Sequence, residues 1–175
     1  MIALAITMEG GRPMPILRTK LGLLFCLVTV TGIFLAITGI GGSPALELWN
    51  NDTRTSLPLW LMIWLGFLAL TFLSSVIFAW NHVPARWVLA SFIGSHVATI
   101  AVENTEGMVL RAGLVSLLHV VFWTPGLVSL LSNQSDIRFN SAYGTWASIL
   151  LFVYAVAFTF DIRDGIVWLL FMVGV

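Results

Sequence analysis

The stretch LWLMIWLGFLALTFLSSVIFAW, residues 59–80, decides the fold of this protein. It is an unbroken apolar run of 22 residues without a charged side chain. About 20 such residues, coiled as a helix, span the roughly 30 Å hydrocarbon core of a bilayer. Backbone polar groups find partners in lipid only within helices or closed barrels, and a run of this length suits a helix. The stretch therefore predicts a transmembrane helix.

Four further apolar runs in the 175-residue chain have the same character. The predicted spans are about 21–41, 59–80, 87–102, 109–131 and 143–160. They indicate an all-α, polytopic transmembrane helical bundle with short loops and five spans. Four spans are the alternative if 87–102, the shortest run, does not cross. Residues 1–20 are expected to be a cytoplasmic segment, and the short apolar segment 161–175 to be interfacial or re-entrant.

Composition supports a membrane protein and excludes several other classes. Hydrophobic residues make up 59% of the chain and charged residues 9%, against about 25% charged residues in soluble domains. With zero net charge and no basic run, no nucleic-acid partner is expected. The expected partners are the lipid bilayer and either further copies of the chain or other membrane subunits. The single cysteine, Cys26, rules out an intrachain disulfide and a CxxC metal site.

The distribution of basic residues predicts the orientation. With a cytoplasmic N-terminus, five basic residues lie on the cytoplasmic side and three lie outside. The five are Arg12, Arg18, Lys20, Arg86 and Arg138, and the three are Arg54, Arg111 and Arg163. Because cytoplasmic loops carry an excess of Lys and Arg, this bias favours a bacterial inner membrane protein with its N-terminus in the cytoplasm.

The predicted hairpin of the third and fourth spans carries an unusual number of ionisable residues. With its turn near Glu106, His96 and His119 each lie about 15–18 Å from the turn along their helices. Both histidines are therefore expected near the bilayer centre, where ionisable residues usually face the bundle interior. The simpler interpretation is that each histidine only hydrogen-bonds a neighbouring helix.

Helical spacing extends this polar region towards the outer boundary. His96, Thr99 and Glu103 share one helix face, and Ser91 and Ser95 form a parallel row of small polar residues. The candidate pathway residues are His96, His119, Glu103, Thr99 and Arg111. The alternative for Glu103, Glu106 and Arg111 is an interfacial salt bridge that pins the hairpin.

Two further motifs are candidates for a structural or functional role: a Pro-Gly pair in the fourth span and a charged group after the fifth. Pro125 lacks a backbone N–H and Gly126 follows it, which predicts a kink or gating hinge in the fourth span. The sequence DIRDG, residues 161–165, is expected to form a salt-bridge cap at the membrane surface. Its alternative roles are to line an outer mouth or to bind a cation.

These features favour a homo-oligomeric ion or proton permeation pathway of the channel or transporter type. The alternative is a non-catalytic accessory subunit of a larger complex, or a subunit carrying haem or chlorophyll. The primary expectation is that no cofactor is bound, but His96 or His119 has the chemistry to ligate a tetrapyrrole. Both cannot hold one macrocycle within the hairpin, since packed helices lie about 8–10 Å apart. An intramembrane enzyme ranks third because no phosphate loop, nucleophile elbow or HExxH pair is present.

Overall fold

The fold is described from a computed structural model, over residues 27–32, 59–104 and 112–173. This part of the chain is helical, without strands. A helical segment at 27–32 is followed by α1 (Leu59–Leu73), α2 (Ser75–Phe78), α3 (Val83–Glu103), α4 (Ala112–Ser132), a 3₁₀ turn (Gln134–Asp136) and α5 (Ala142–Met172).

Four helical stretches are long and apolar enough to cross a membrane, which confirms the predicted all-helical bundle. They are Leu59–Phe78, Val83–Val102, Gly113–Ser132 and Ala142–Leu170. The first stretch joins α1 and α2, which are separated only by a turn at Ser74. Of the predicted span 21–41, only residues 27–32 are described, and they are helical. Segment 1–20, Glu106 and Arg111 lie outside the described residues.

The third predicted span begins earlier than the hydropathy pattern indicated. Helix α3 starts at Val83 with Pro84 in its first turn, where a missing N–H and a fixed φ angle are both favourable. Arg86 is accommodated because its Nε and Nη2 atoms donate to the carbonyls of Ala79 and Trp80, at 2.7 and 2.9 Å. These bonds satisfy the carbonyl end of the preceding helix. The 21-residue helix α3 is thus long enough to cross.

Helix α5 extends past residue 160, where the predicted fifth span ends. Helix α5 runs without a break from Ala142 to Met172, 31 residues, so most of the predicted segment 161–175 is the end of this helix. The helix continues through Gly165, which packs closely against α4. A Cβ atom at this position would lie 2.7 Å from Leu117 Cδ2. The glycine thus allows close packing of two helices. The interfacial placement of this segment stays a prediction.

The long helices form an up-and-down bundle, in which α4 is antiparallel to both α3 and α5. Glycines mark both contacts: Gly94 of α3 faces Phe122, and Gly126 of α4 faces Tyr154. The buried centre is aromatic, with the Phe72 ring 4.6 Å from that of Trp123 and 5.2 Å from that of Tyr154. Large apolar side chains cover the outer surface, as expected for helices in contact with lipid.

Candidate functional site

His96 lies on the outer surface of the bundle, which differs from the expected interior position. The residue is exposed, as are Ile93 and Val97 beside it. Its ring rests against Phe92 at 4.2 Å, and Nδ1 lies 2.9 Å from the Phe92 carbonyl oxygen. A carbonyl only accepts, so Nδ1 carries the proton in this bond and Nε2 keeps its lone pair. Thr99 is partly buried on the same helix; of Glu103, only the backbone is described.

His119 faces a different partner from the one predicted. Its Nδ1 atom lies 3.4 Å from Oδ2 of Asp161 on α5, an ion-pair distance without the geometry of a hydrogen bond. The imidazole also lies nearly parallel to the Trp123 indole, at 4.2 Å and 15°. The structure thus pairs His119 with Asp161, and His96 takes no part in this contact.

The register of α4 against α5 explains this pairing. His119 precedes Gly126 by seven residues, and Asp161 follows Tyr154 by seven. Because the helices are antiparallel and seven residues are about two turns, the contact of Gly126 with Tyr154 also brings His119 opposite Asp161. Towards the other end, Leu117 meets Gly165. We call this row of contacts the α4–α5 seam.

A second ion pair lies next to Asp161. Arg163 Nη1 donates to Asp164 Oδ1 at 2.6 Å, and the Arg163 residue is buried. The DIRDG motif was expected to be a salt-bridge cap at the membrane surface. Arg163 and Asp164 do form a salt bridge, which lies within the uninterrupted helix α5, and Asp161 points into the seam. The position of the motif at the membrane surface stays a prediction. Together His119, Asp161, Arg163 and Asp164 form what we call the ionic cluster.

The formal charges of the ionic cluster depend on His119. Two carboxylates and one guanidinium leave one net negative charge while the imidazole is neutral. One added proton makes the four side chains neutral as a group. In surroundings of low polarity a neutral, paired group is less costly than an uncompensated charge. Within the described residues, the arrangement is suited to binding a single proton.

Trp123 packs against His119 on α4 and forms a hydrogen bond to α3. Its Nε1 atom donates to Ser95 Oγ at 2.9 Å, and Ser95 Oγ in turn donates to the Phe92 carbonyl at 2.9 Å. Ser91 and Ser95 are both buried, so the row of small polar residues predicted on α3 faces the bundle interior. The indole therefore contacts both His119 and the Phe72 ring of the aromatic centre.

The predicted hinge residues lie within a continuous helix. Pro125 is inside α4 and exposed, whereas Gly126 is buried where α3, α4 and α5 meet. A Cβ atom on Gly126 would lie 2.6 Å from the Tyr154 hydroxyl and 3.2 Å from Val88 Cα. This close approach is a packing reason for the glycine. Hinge motion stays a prediction.

The described residues were compared with known metal-site geometry, and the chain with known proteins. Among residues 27–32, 59–104 and 112–173, no group of three or more His, Cys, Asp or Glu side chains is placed to hold a metal ion. Comparison with protein-family models, with curated proteins and with solved structures gives no match.

Sequence reasoning missed Asp161 as a site residue. It placed Asp161 at a helix end because the charged DIRD group follows a run of ordinary transmembrane length. One signal pointed the other way: apolar residues resume directly after Gly165. A charged group flanked by apolar residues on both sides is typical of side chains that face a helical partner.

Proposed function

We propose that this integral membrane protein forms a proton or ion permeation pathway in a homo-oligomer, with the ionic cluster as its proton-binding element. The observation that carries the proposal is the 3.4 Å approach of His119 Nδ1 to Asp161 Oδ2 on two apolar helices. Ionisable residues within transmembrane helices are costly and commonly mark proton relays or ion pathways. We place the protein in a bacterial inner membrane with a cytoplasmic N-terminus, on the basis of its positive charges.

The packing favours a pathway along the α4–α5 seam over one through the bundle centre. Phe72, Trp123 and Tyr154 are at most 1% exposed and fill the centre of the described bundle. The His119 and Asp161 side chains, by contrast, keep 24% and 15% of their surfaces accessible. A second copy covering this accessible side would enclose the cluster, which is why the proposal includes an oligomer.

Proton binding suits the cluster better than simple salt bridging does. Asp161 Oδ2 is buried and accepts no hydrogen bond from the described residues. An imidazolium at His119 would supply the missing donor and neutralise the cluster. Since a neutral imidazole has a ring nitrogen that accepts a proton, we expect the pair to bind and release one.

A liposome assay tests the proposal. Purified protein is reconstituted with an internal pH-sensitive dye, and proton flux is driven by a potassium diffusion potential. We expect flux to fall to the level of empty liposomes in His119→Gln and in Asp161→Asn. His82→Gln is the matched control, because His82 stacks on Tyr143, 3.7 Å away, outside the ionic cluster. Unchanged flux in the His119→Gln, Asp161→Asn double variant would overturn the proposal.

A second candidate function rests on His96. Ligating histidines usually donate their other ring N–H to a carbonyl or carboxylate, which fixes the tautomer. His96 has this arrangement, with its free Nε2 on an exposed surface. It therefore fits an accessory subunit that carries a haem or chlorophyll between α3 and a neighbouring subunit. Under this reading, reconstitution with haem gives a Soret band that His96→Ala removes and His119→Ala leaves. A colourless reconstituted protein would reject it.

A further inference from the structure

A groove of about 500 Å³ lies between α1 and α5 on the outer surface of the bundle. Trp146 of α5 donates from Nε1 to the Thr71 carbonyl of α1 at 3.1 Å, and both residues line the groove. Ser74 and Ala142 lie at one end of it. Phe67, which precedes Ser74 by seven residues or about 10 Å of helix, lies at the other. The volume falls within the range of about 300–1,000 Å³ that is usual for ligand sites.

The walls of the groove present hydrocarbon rather than hydrogen-bond donors. Each side-chain donor among the lining residues already bonds a backbone carbonyl of this chain; the four donors belong to Thr71, Ser74, Thr145 and Trp146. Leu70, which also lines the groove, is 70% exposed. Since no side-chain donor is left for a polar ligand, the groove is suited to an apolar chain.

The end of the groove at Ser74 and Ala142 lies near the membrane surface. Trp80 and Trp87, at the turn that leads into α3, are 85% and 52% exposed, and exposed tryptophans are typical of the interface between lipid and water. Phe67, at the inner end, precedes Trp80 by thirteen residues, about 20 Å of helix. A ligand in the groove would therefore have its outer end among lipid headgroups and its inner end in the hydrocarbon core.

The first turn of α5 supplies a backbone donor at the outer end. The first N–H groups of a helix have no partner within it. In α5, Ser141 accepts two of them, from Gly144 at its hydroxyl and from Thr145 at its carbonyl. The N–H group of Ala142, an exposed residue that lines the groove, has no partner among the described residues. A phosphate is a suitable acceptor here, because the positive end of the helix dipole is at this terminus.

Arg138 adds a positive charge beside this turn. The residue is exposed, and its backbone packs against Gly144. The described residues at this end of the bundle include two arginines, Arg86 and Arg138, and one acidic residue, Asp136. Their formal charge is therefore positive when His82 is neutral. Basic sites of this kind, next to a membrane-spanning bundle, attract anionic lipid headgroups.

We infer that the groove binds one phospholipid molecule, with an acyl chain between α1 and α5 and its phosphate at the first turn of α5 beside Arg138. The lipid does not reach the ionic cluster, because Asp161 lies twelve residues, about 18 Å, beyond Ile149 along α5. Lipid binding is thus separate from the proposed function.

The size of the groove favours a lipid chain over a second copy of the protein. A helix is about 10–12 Å wide, so a 10 Å length of it exceeds the volume of the groove. The described part of the first predicted span contacts α5 elsewhere, with Gly32 facing Thr159, ten residues beyond Ile149. A hydrocarbon chain is narrow enough to enter, and it is the material that surrounds the bundle.

Native mass spectrometry of the full chain in detergent micelles tests the site with three probes. They are palmitoyl-oleoyl phosphatidylglycerol, the diacylglycerol with the same chains but no phosphate, and glycerol phosphate, which has no chains. We expect one phosphatidylglycerol to bind per chain. The diacylglycerol should bind about tenfold more weakly, because it lacks the charged hydrogen-bond acceptor, and glycerol phosphate should not bind. Equal binding of the two lipids, or tight binding of glycerol phosphate, would overturn the inference.

Two variants locate the chain and the phosphate. Ile149→Trp places a larger side chain in the groove and should abolish binding of phosphatidylglycerol. Ile93→Trp is the matched control, since Ile93 is similarly exposed, 51% against 41%, but lies on α3 outside the groove. Arg138→Gln should weaken binding of phosphatidylglycerol about fivefold and leave that of the diacylglycerol unchanged.

The contrary outcomes are distinct for the two parts of the site. Circular dichroism and gel filtration first establish that each variant is folded, and Leu70→Trp, on the opposite wall, replaces Ile149→Trp if the latter is not. Full binding of phosphatidylglycerol in both groove variants would overturn the placement of the chain. So would a change of oligomeric state in these variants with unchanged lipid binding, because a second copy would then occupy the groove. Unchanged binding in Arg138→Gln would overturn the placement of the phosphate.

Discussion

His119 and Asp161 face each other across the α4–α5 seam at 3.4 Å, in the same helical register that packs Gly126 against Tyr154. The ionic contact and the close helix approach are therefore consequences of one antiparallel alignment. A change that shifts α4 along α5 would separate the charges and open the packing together. The following predictions test this alignment and the interactions that hold it.

Substitution of Gly126 by alanine should destabilise the protein. The new Cβ would lie 2.6 Å from the Tyr154 hydroxyl and 3.2 Å from Val88 Cα, and the backbone atom cannot move away locally. Overpacking of this kind costs about 1–3 kcal/mol, which thermal unfolding in detergent micelles will detect. Gly66→Ala is the control, because no atom lies within 4 Å of its Cβ position. It should be neutral or stabilising by about 0.5–1 kcal/mol. Equal effects of the two substitutions would contradict the packing at Gly126.

Cysteine cross-linking should report the register beyond residue 160. In a Cys26→Ser background, Leu117→Cys with Gly165→Cys should form an intrachain disulfide under mild oxidation. The Gly165 Cβ position lies 3.0 Å from Leu117 Cγ, which places the two Cβ atoms within reach of the roughly 3.5–4.5 Å that a disulfide requires. Formation is read as a mobility shift on non-reducing gels.

The matched pair for this experiment is Leu117→Cys with Phe160→Cys. Phe160 is exposed on α5, so its cysteine points away from the seam and should not cross-link. Efficient cross-linking of the control pair, or none of the Gly165 pair, would show that α5 does not continue in this register.

Removal of the Arg163 charge should be strongly destabilising. The Arg163 side chain is 9% exposed and pairs with Asp164 at 2.6 Å, so Arg163→Gln leaves the largely buried Asp164 carboxylate without this cation. Breaking a buried pair on one side costs about 3–5 kcal/mol. The double substitution Arg163→Gln, Asp164→Asn should recover part of that loss, because no new unpaired charge is created.

Folded yield and melting temperature in detergent measure both variants. Arg138→Gln is the comparison, since Arg138 is exposed and surface changes usually stay within about 0.5 kcal/mol. If the double variant were no more stable than Arg163→Gln, the ion pair with Asp164 would not be the source of the effect.

Trp123 and Ser95 should be energetically coupled. Trp123→Phe removes the indole N–H that donates to Ser95 Oγ at 2.9 Å but keeps an aromatic ring beside His119. A double-mutant cycle with Ser95→Ala should give a coupling of about 0.5–1.5 kcal/mol, the usual net contribution of a hydrogen bond. Trp87→Phe, at an exposed position on α3, should show no coupling with Ser95→Ala. Additive losses in the Trp123 cycle would mean that the bond contributes nothing.

Much of the architecture could be predicted from local properties of the chain. Apolar runs identified the helices because a lipid-spanning segment must satisfy its backbone within itself. The spacing of Ser91 and Ser95 correctly indicated one face of α3, since helical period depends only on position. The helix boundaries were less predictable. The predicted span 87–102 begins just after Arg86, yet α3 includes this residue, whose side chain reaches the carbonyls of the preceding helix.

The candidate site was predicted only in part. His119 was singled out for its expected depth and is partly buried in the structure, but its expected counterpart was His96, chosen for its equal distance from the hairpin turn. Depth along a helix does not specify direction around it. His96 points outwards with Ile93 and Val97, whereas the partner of His119 comes from a helix whose charged group appeared to lie at its end.

The amino-acid sequence by itself determined that the chain is an all-helical membrane protein, that its helices follow one another in hairpins, and that one hairpin concentrates polar residues. These properties follow from hydropathy and helical period, which act over a few neighbouring residues. Only the tertiary structure decided that Asp161 meets His119 and that the Tyr154 hydroxyl lies over Gly126. Both contacts depend on the position of α5 along α4. That position is decided by glycines and large side chains that fit together across the two helices, from residues about 30 to 50 positions apart in the chain.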